Sequence, residues 1–234
     1  MSENKVVVVA GAGPGNGAAL AKRFATVGQP VAMLSREQSH ADALAAEIAN
    51  TRGYACDVSD EASVRSCFAA ISTELGQVDT LLYNAGSGVF ADVETITPNQ
   101  FEQAWRVNAL GSLLCSREVI PAMKTRGAGN IVFIGATASR RGGKMSAAFA
   151  PAKAAQRSLA ESMARALWPA GIHVALIVID GVVDLEKTRA MMPDRSDEFF
   201  VDPAGVAEMA WQLTHQSRRA WSFEVEVRPF GENW

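Results

Sequence analysis

Residues 6–20 read Val-Val-Val-Val-Ala-Gly-Ala-Gly-Pro-Gly-Asn-Gly-Ala-Ala-Leu. The apolar run Val6–Ala10 shows no alternation, so it describes a strand buried on both faces, the kind found inside a parallel sheet. Gly11, Gly13, Gly15 and Gly17 follow at once. From Gly17 to Val27, Leu20, Phe24 and Val27 recur on one helical face. A strand, a glycine-rich turn and a helix N-terminus together make an anion site: the glycines turn tightly, and no Cβ blocks a phosphate from the backbone N–H groups. The order predicts a dinucleotide pyrophosphate cradle at Gly11, Gly13, Gly15, Asn16 and Gly17.

Downstream, apolar runs alternate with helical patterns. Strands are predicted at Val31–Leu34, Gly53–Cys56, Thr80–Tyr83, Ile131–Ile134, Val174–Ile179 and Phe223–Val227. Helices are predicted over Ser39–Asn50, over Asp60–Leu75 with Ser59 as cap, from Thr97-Pro98 to Thr125, over Ala147–Trp168 and over Pro203–Thr214. About seven strands with intervening helices describe a doubly wound α/β fold of Rossmann type, a parallel sheet with helices on both faces. No Pro/Gly/Ser-rich linker or repeat interrupts the pattern, so 1–234 is expected to be a single domain.

Composition narrows the function. Hydrophobic residues make up 48% and charged residues 20%, the balance of a globular chain rather than a disordered one. The formal net charge of −3 argues against nucleic acid as partner. No apolar run approaches the roughly 20 residues of a spanning helix, so no membrane role is expected. Glycines interrupt the N-terminal apolar run, unlike a signal peptide, and Cys56, Cys67 and Cys115 lack C-x-x-C spacing. Both features point to reduced thiols and a cytoplasmic setting. His40, His173 and His215 are scattered, so no metal site is expected.

The chain resembles the short-chain dehydrogenase/reductases over about residues 5–230. Gly11-x-x-x-Gly15-x-Gly17 has the family's spacing, and Asp57-Val58, Asn84-Ala85-Gly86 and Asn108 follow in the family's order. The resemblance implies that Asp57 and Val58 contact adenine and that Lys153 holds the nicotinamide ribose. A carboxylate ending the second strand would bind a ribose 2′-OH and repel a 2′-phosphate. Here that strand ends in Ser35-Arg36, a hydroxyl donor and a guanidinium fork, which favours NADP. NAD is the alternative, because Pro14 stands where NADP-using relatives often carry a second basic residue.

In that family a Tyr-x-x-x-Lys pair carries the proton, and a serine thirteen residues before the tyrosine orients the substrate carbonyl. Here the segment is Phe149-Ala150-Pro151-Ala152-Lys153, and the serine position holds Ala136. Phenylalanine has no titratable proton, and no tuning of the surroundings supplies one. Asn108 and Lys153 remain. Thr137, Ser139 and Ser146 are the nearby hydroxyls, and Asp180 is a candidate replacement acid if burial raises its pKa. The family's Pro-Gly turn near the nicotinamide amide is Asp180-Gly181 here, and Thr188 is a further candidate contact.

Chains with phenylalanine at this place form a divergent subgroup. The resemblance therefore implies an NADP(H)-binding oxidoreductase with an incomplete catalytic tetrad and an unknown small-molecule substrate. Turnover, if it occurs, would be on a carbonyl or alcohol or an activated C=C bond. The alternative is a non-catalytic cofactor-binding regulator or a structural subunit. Relatives assemble as homodimers or homotetramers. Arg140, Arg141 and Lys144 could draw an anionic substrate to the cleft, or form a solvated loop. Residues 184–200 stand where relatives carry a lid.

Overall fold

The computed structural model describes residues 5–231; residues 1–4 and 232–234 of the expected domain lie outside it. The elements run β1 (Val6–Ala10), α1 (Asn16–Ala25), β2 (Val31–Ser35), α2 (Gln38–Ala46), β3 (Thr51–Ala55), α3 (Glu61–Glu74), β4 (Val78–Tyr83) and α4 (Pro98–Trp105). They continue as α5 (Gly111–Arg126), β5 (Gly129–Ala136), α6 (Phe149–Leu167), β6 (Ile172–Ile179), β7 (Val182–Val183), α7 (Glu186–Met191), β8 (Phe200–Val201), α8 (Pro203–Thr214) and β9 (Glu224–Val227). One seven-stranded sheet has the order β3-β2-β1-β4-β5-β6-β9, and every pairing in it is parallel.

The unbroken valines of β1 serve both faces. Val6, Val8 and Ala10 pack with Ile71, Leu114 and Ala164 from α3, α5 and α6, while Val7 and Val9 pack with Leu20, Phe24 and Ala210 from α1 and α8. Strand order reverses between β1 and β4, so their carboxyl ends part and leave a crevice.

Three local readings change. α2 stops at Ala46 instead of Asn50 and β3 begins at Thr51, because Asn50 turns at φ 62° and the Thr51 hydroxyl donates to the Ala45 and Ile48 carbonyls. Asp60, not Ser59, caps α3: its carboxylate accepts the Ser63 N–H at 2.9 Å, while Ser59 turns its N–H and hydroxyl to Asp57. The long helix opens as expected, with Thr97 and Gln100 in a reciprocal cap. It is not uniform, however: Arg106–Leu110 form one π turn between α4 and α5, and Asn108 lies in it.

Candidate active site

A cleft of about 670 Å³ opens at the carboxyl ends of β1, β2, β3 and β4. Gly11, Ser35, Arg36, Asp57, Val58, Asn84, Ala85 and Gly86 all line it. The turn after β1 depends on glycine. Gly11 has φ +89°, and a Cβ on it would stand 2.4 Å from the Ala85 backbone; a Cβ on Gly17 would stand 2.8 Å from the Gly11 carbonyl. Gly13 faces open space. Asn84 ties the two loops by donating from Nδ2 to the Gly11 carbonyl at 2.8 Å. α1 begins with Gly15 as cap, without a side-chain acceptor or an acid in its first turn; the Ala18 N–H donates back to the Gly13 carbonyl at 2.9 Å, and the N–H groups ahead of it are left for an anion. Asn16 Oδ1 at this helix start is buried and unpartnered among the described residues.

Arg36 is exposed on the rim and forms no ion pair among the described residues, including with Glu37. The cleft also takes in His40, Cys56 and Gln103, which the sequence did not single out. Leu185, rather than Thr188, reaches the glycine turn: its Cδ2 lies 2.2 Å from where a Cβ on Gly15 would be. The Thr188 hydroxyl donates to the Val183 and Leu185 carbonyls and accepts the Leu185 N–H, which fixes the start of α7. Gly181 lies on the connection from β6 to β7.

The second half of the site is apolar. Phe149 is the first residue of α6, and its ring packs on that of Phe90 with centroids 5.4 Å apart. Ala136 ends β5, and its N–H donates to Ser139 Oγ, a buried hydroxyl. Ser146 exchanges both of its hydrogen bonds with Gly143. Thr137 donates to Asp180 at 2.5 Å. Asp180 also accepts from Arg141 at 3.2 Å and Arg228 at 2.6 Å. A carboxyl group faced by three donors serves as an acceptor, so the reading of Asp180 as a replacement acid does not hold. The basic loop is likewise committed: Arg140 pairs with Glu224 and Glu226, Arg141 with Asp180, and only Lys144 of the three stays unengaged among the described residues. The attraction expected of this loop for an anion is largely neutralised.

Behind the cleft, Lys153 is buried and its Nζ donates to the Ile134 carbonyl at 2.8 Å and to Gln156 Oε1 at 3.0 Å. Burial lowers its pKa from 10.5 to about 8. Gln156 Nε2 donates to the Asn108 carbonyl at 3.0 Å, and Tyr83 Oη donates to the Val107 carbonyl at 2.5 Å. The π turn sets these two carbonyls for side chains outside the helix. Gln156 had a sequence signal: it interrupts the buried stripe Ala152, Ala160, Met163 and Leu167 of α6. Among the described residues no cluster of His, Cys, Asp and Glu has the makings of a metal site, and no helix is long and apolar enough to cross a membrane.

Comparison with known proteins places this geometry. A sequence profile described as short chain dehydrogenase matches residues 5–196. D-threitol dehydrogenase of Mycolicibacterium smegmatis is 35% identical over 134 residues, which is 56% of this chain and 52% of that protein, so the match spans about half of that relative. The 3-oxoacyl-(acyl-carrier-protein) reductase FabG of Escherichia coli is 30% identical over 82% of this chain and 79% of its own length. A short-chain dehydrogenase structure from Rhodopseudomonas palustris superposes with TM-score 0.84 at 34% identity, over 97% of this chain and 99% of that one. A metagenomic short-chain oxidoreductase in complex with NADP superposes with TM-score 0.85 at 26% identity, over 98% of each chain. With the profile spanning most of its length and the sheet order, glycine turn and cleft in agreement, the chain belongs to the short-chain dehydrogenase family.

Proposed function

We propose that this protein is an NADP(H)-binding oxidoreductase of its family with an incomplete catalytic tetrad, acting on an unidentified small molecule. The carrying observation is the open cleft over Gly11, with the unpaired Arg36 guanidinium beside Ser35 on its rim. The cofactor, when bound, supplies or accepts a hydride. Gly11, Gly13, Gly15, Asn16 and Gly17 would hold its pyrophosphate, Ser35 and Arg36 the 2′-phosphate, and Asp57 and Val58 the adenine. Asn84, Ala85 and Gly86 wall the middle of the cleft, and Lys153 and Gly181 belong to the nicotinamide end. The relative solved with NADP supports this choice over NAD.

At the reacting end Phe149 and Ala136 contribute shape but no proton, which supports the reading of the chain as a member of a divergent subgroup with phenylalanine for tyrosine. Asn108 and Lys153 persist, and Thr137 is held by Asp180. Substrates with a carbonyl, an alcohol or an activated C=C bond fit the family chemistry. A second reading, a cofactor-binding regulator or structural subunit, is favoured by one observation: the hydroxyls of Thr137, Ser139 and Ser146 are all engaged by the protein itself. Exposed Phe101 and Trp105 on α4 support a homodimer or homotetramer. The three free, buried cysteines support a cytoplasmic setting, and strands drawn from Val6 to Val227 support one domain.

Isothermal titration with NADPH and NADH tests the proposal, joined to a carbonyl and enone panel followed by NADPH oxidation. Tighter binding of NADPH than NADH is the expected result. Binding of neither overturns it, and binding without turnover on any substrate selects the regulator.

A further inference from the structure

Gln156 has no exposed surface, yet it sits on the apolar stripe of α6. Both polar atoms of its carboxamide are engaged: Oε1 accepts from Lys153 Nζ, and Nε2 donates to the Asn108 carbonyl. A carboxamide is the side-chain group that offers an acceptor to an amine and a donor to a carbonyl at once. Lys153 also donates to the Ile134 carbonyl, so one of the three N–H bonds of its ammonium is left.

Asn108 is also fully buried. Its Nδ2 donates to the Ala104 and Ser87 carbonyls, but its Oδ1 has no partner among the described residues. Buried acceptors without a partner are uncommon and call for an explanation. Both leftover groups approach the same glycine. A Cβ on Gly86 would stand 3.3 Å from Asn108 Oδ1 and 3.9 Å from Lys153 Nζ. Gly86 lines the cleft, and its missing side chain leaves only this glycine between the cleft and the two groups, which lie buried behind it. One donor and one acceptor beside a single glycine match a group that both accepts and donates, as a hydroxyl does through one atom.

We propose that Gln156 is a positioning residue: by bridging Lys153 and the π turn, it sets Lys153 Nζ and Asn108 Oδ1 as a donor–acceptor pair for one hydroxyl of the bound ligand. The identity of that hydroxyl rests on the dinucleotide reading, which makes it a hydroxyl of the nicotinamide ribose; an ordered water is the other source of the same chemistry. Recognition at this end then passes through a carboxamide strut, with no titrating phenol beside the lysine.

The test compares the unaltered chain with Gln156→Met, which keeps length and removes polarity, and Gln156→Glu, which keeps the acceptor toward Lys153. Calorimetry is run with NADPH and with adenosine 2′,5′-bisphosphate, which lacks the second ribose. Gln156→Met is expected to weaken NADPH about tenfold, the worth of one hydrogen bond to a charged group, and to leave the bisphosphate unchanged. Gln156→Glu is expected to recover part of the loss. Unchanged NADPH affinity overturns the proposal and assigns the pair to water. Equal weakening of both ligands overturns it in favour of a structural role.

A second arm needs no turnover. With lysine labelled biosynthetically with carbon-13 at Cε, the Lys153 resonance of the unaltered chain is expected to shift on adding NADPH and not on adding the bisphosphate. Indifference to NADPH overturns the proposal. If the chain binds neither ligand, the dinucleotide reading falls. The titration midpoint of that resonance then decides the positioning claim, expected to drop in Gln156→Met and rise in Gln156→Glu; one midpoint in all three overturns it.

Discussion

The two ends of the cleft are built on opposite terms. At the β1–β3 end, glycine backbone and a guanidinium without an ion pair among the described residues face an open volume. At the α6 end, hydroxyls, carboxylates and cations are paired with one another, and the two positions expected to carry chemistry hold Phe149 and Ala136. Binding needs complementary shape and unsatisfied donors; proton transfer needs a titratable group at one atom. The first survives wherever small residues are kept. The second disappears with a single oxygen. The contrast shows that the outline of the fold and the chemistry at one end of the cleft rest on different residues.

The strongest way to break the contrast is to restore what the α6 end lacks. Phe149→Tyr with Ala136→Ser is expected to raise NADPH-dependent carbonyl reduction by roughly a hundredfold or more, the scale of general acid catalysis. Steady-state assays on the panel measure it, and no gain would show that the two ends differ by more than the missing hydroxyls.

Next in size is the effect of the buried lysine on stability. Its folded pKa, about 8, lies below the ordinary 10.5, so between these values the unfolded chain holds a proton that the folded one does not. Stability from this group therefore rises with pH across that window, by up to about 3 kcal/mol, and is least below pH 8. Urea melts of the unaltered chain and Lys153→Met at pH 7.5 and 10 read the difference; parallel pH trends would mean that Lys153 is not buried as described.

A tenfold effect is expected at the open end. Arg36→Ala should weaken NADPH about tenfold and leave NADH unchanged, because only the 2′-phosphate meets the guanidinium. Equal losses in calorimetry would make Arg36 a general rim charge. The smallest effect concerns Cys56, which lines the cleft and whose thiol pKa is lowered by a hydrogen bond from Cys67. NADPH should slow its alkylation by maleimide several-fold, as followed by peptide mass spectrometry. An unchanged rate would place the ligand away from the β3 end.

How far the sequence could be read follows the same divide. β1 and the glycine turn were legible because their signals are local: five apolar residues, then four glycines at short spacing. Phe149 and Ala136 were legible by spacing alone, as departures. Long-range partners were not. Arg140 reads as a free loop charge until β9 brings Glu224 and Glu226 against it, and Asp180 reads as a spare acid until Arg228 closes on it. The cap of α3 was missed because Ser59 and Asp60 are adjacent and equally suited, and the choice fell to Ser59's bonds with Asp57. The π turn leaves no mark in composition; it shows only when Tyr83 and Gln156 are seen to hold its carbonyls.

That turn amounts to one residue too many in an otherwise regular rod. Were 106–110 to wind as plain α-helix with every residue kept, everything after it would swing by about 100° about the axis. The helix by itself would be tidier. Yet Tyr83 from the sheet and Gln156 from the neighbouring helix would each grip empty space, and the lysine behind them would lose its anchor. An irregularity of this kind is a shared fastening, and the rod can be straightened there only by letting go of β4 and α6 together.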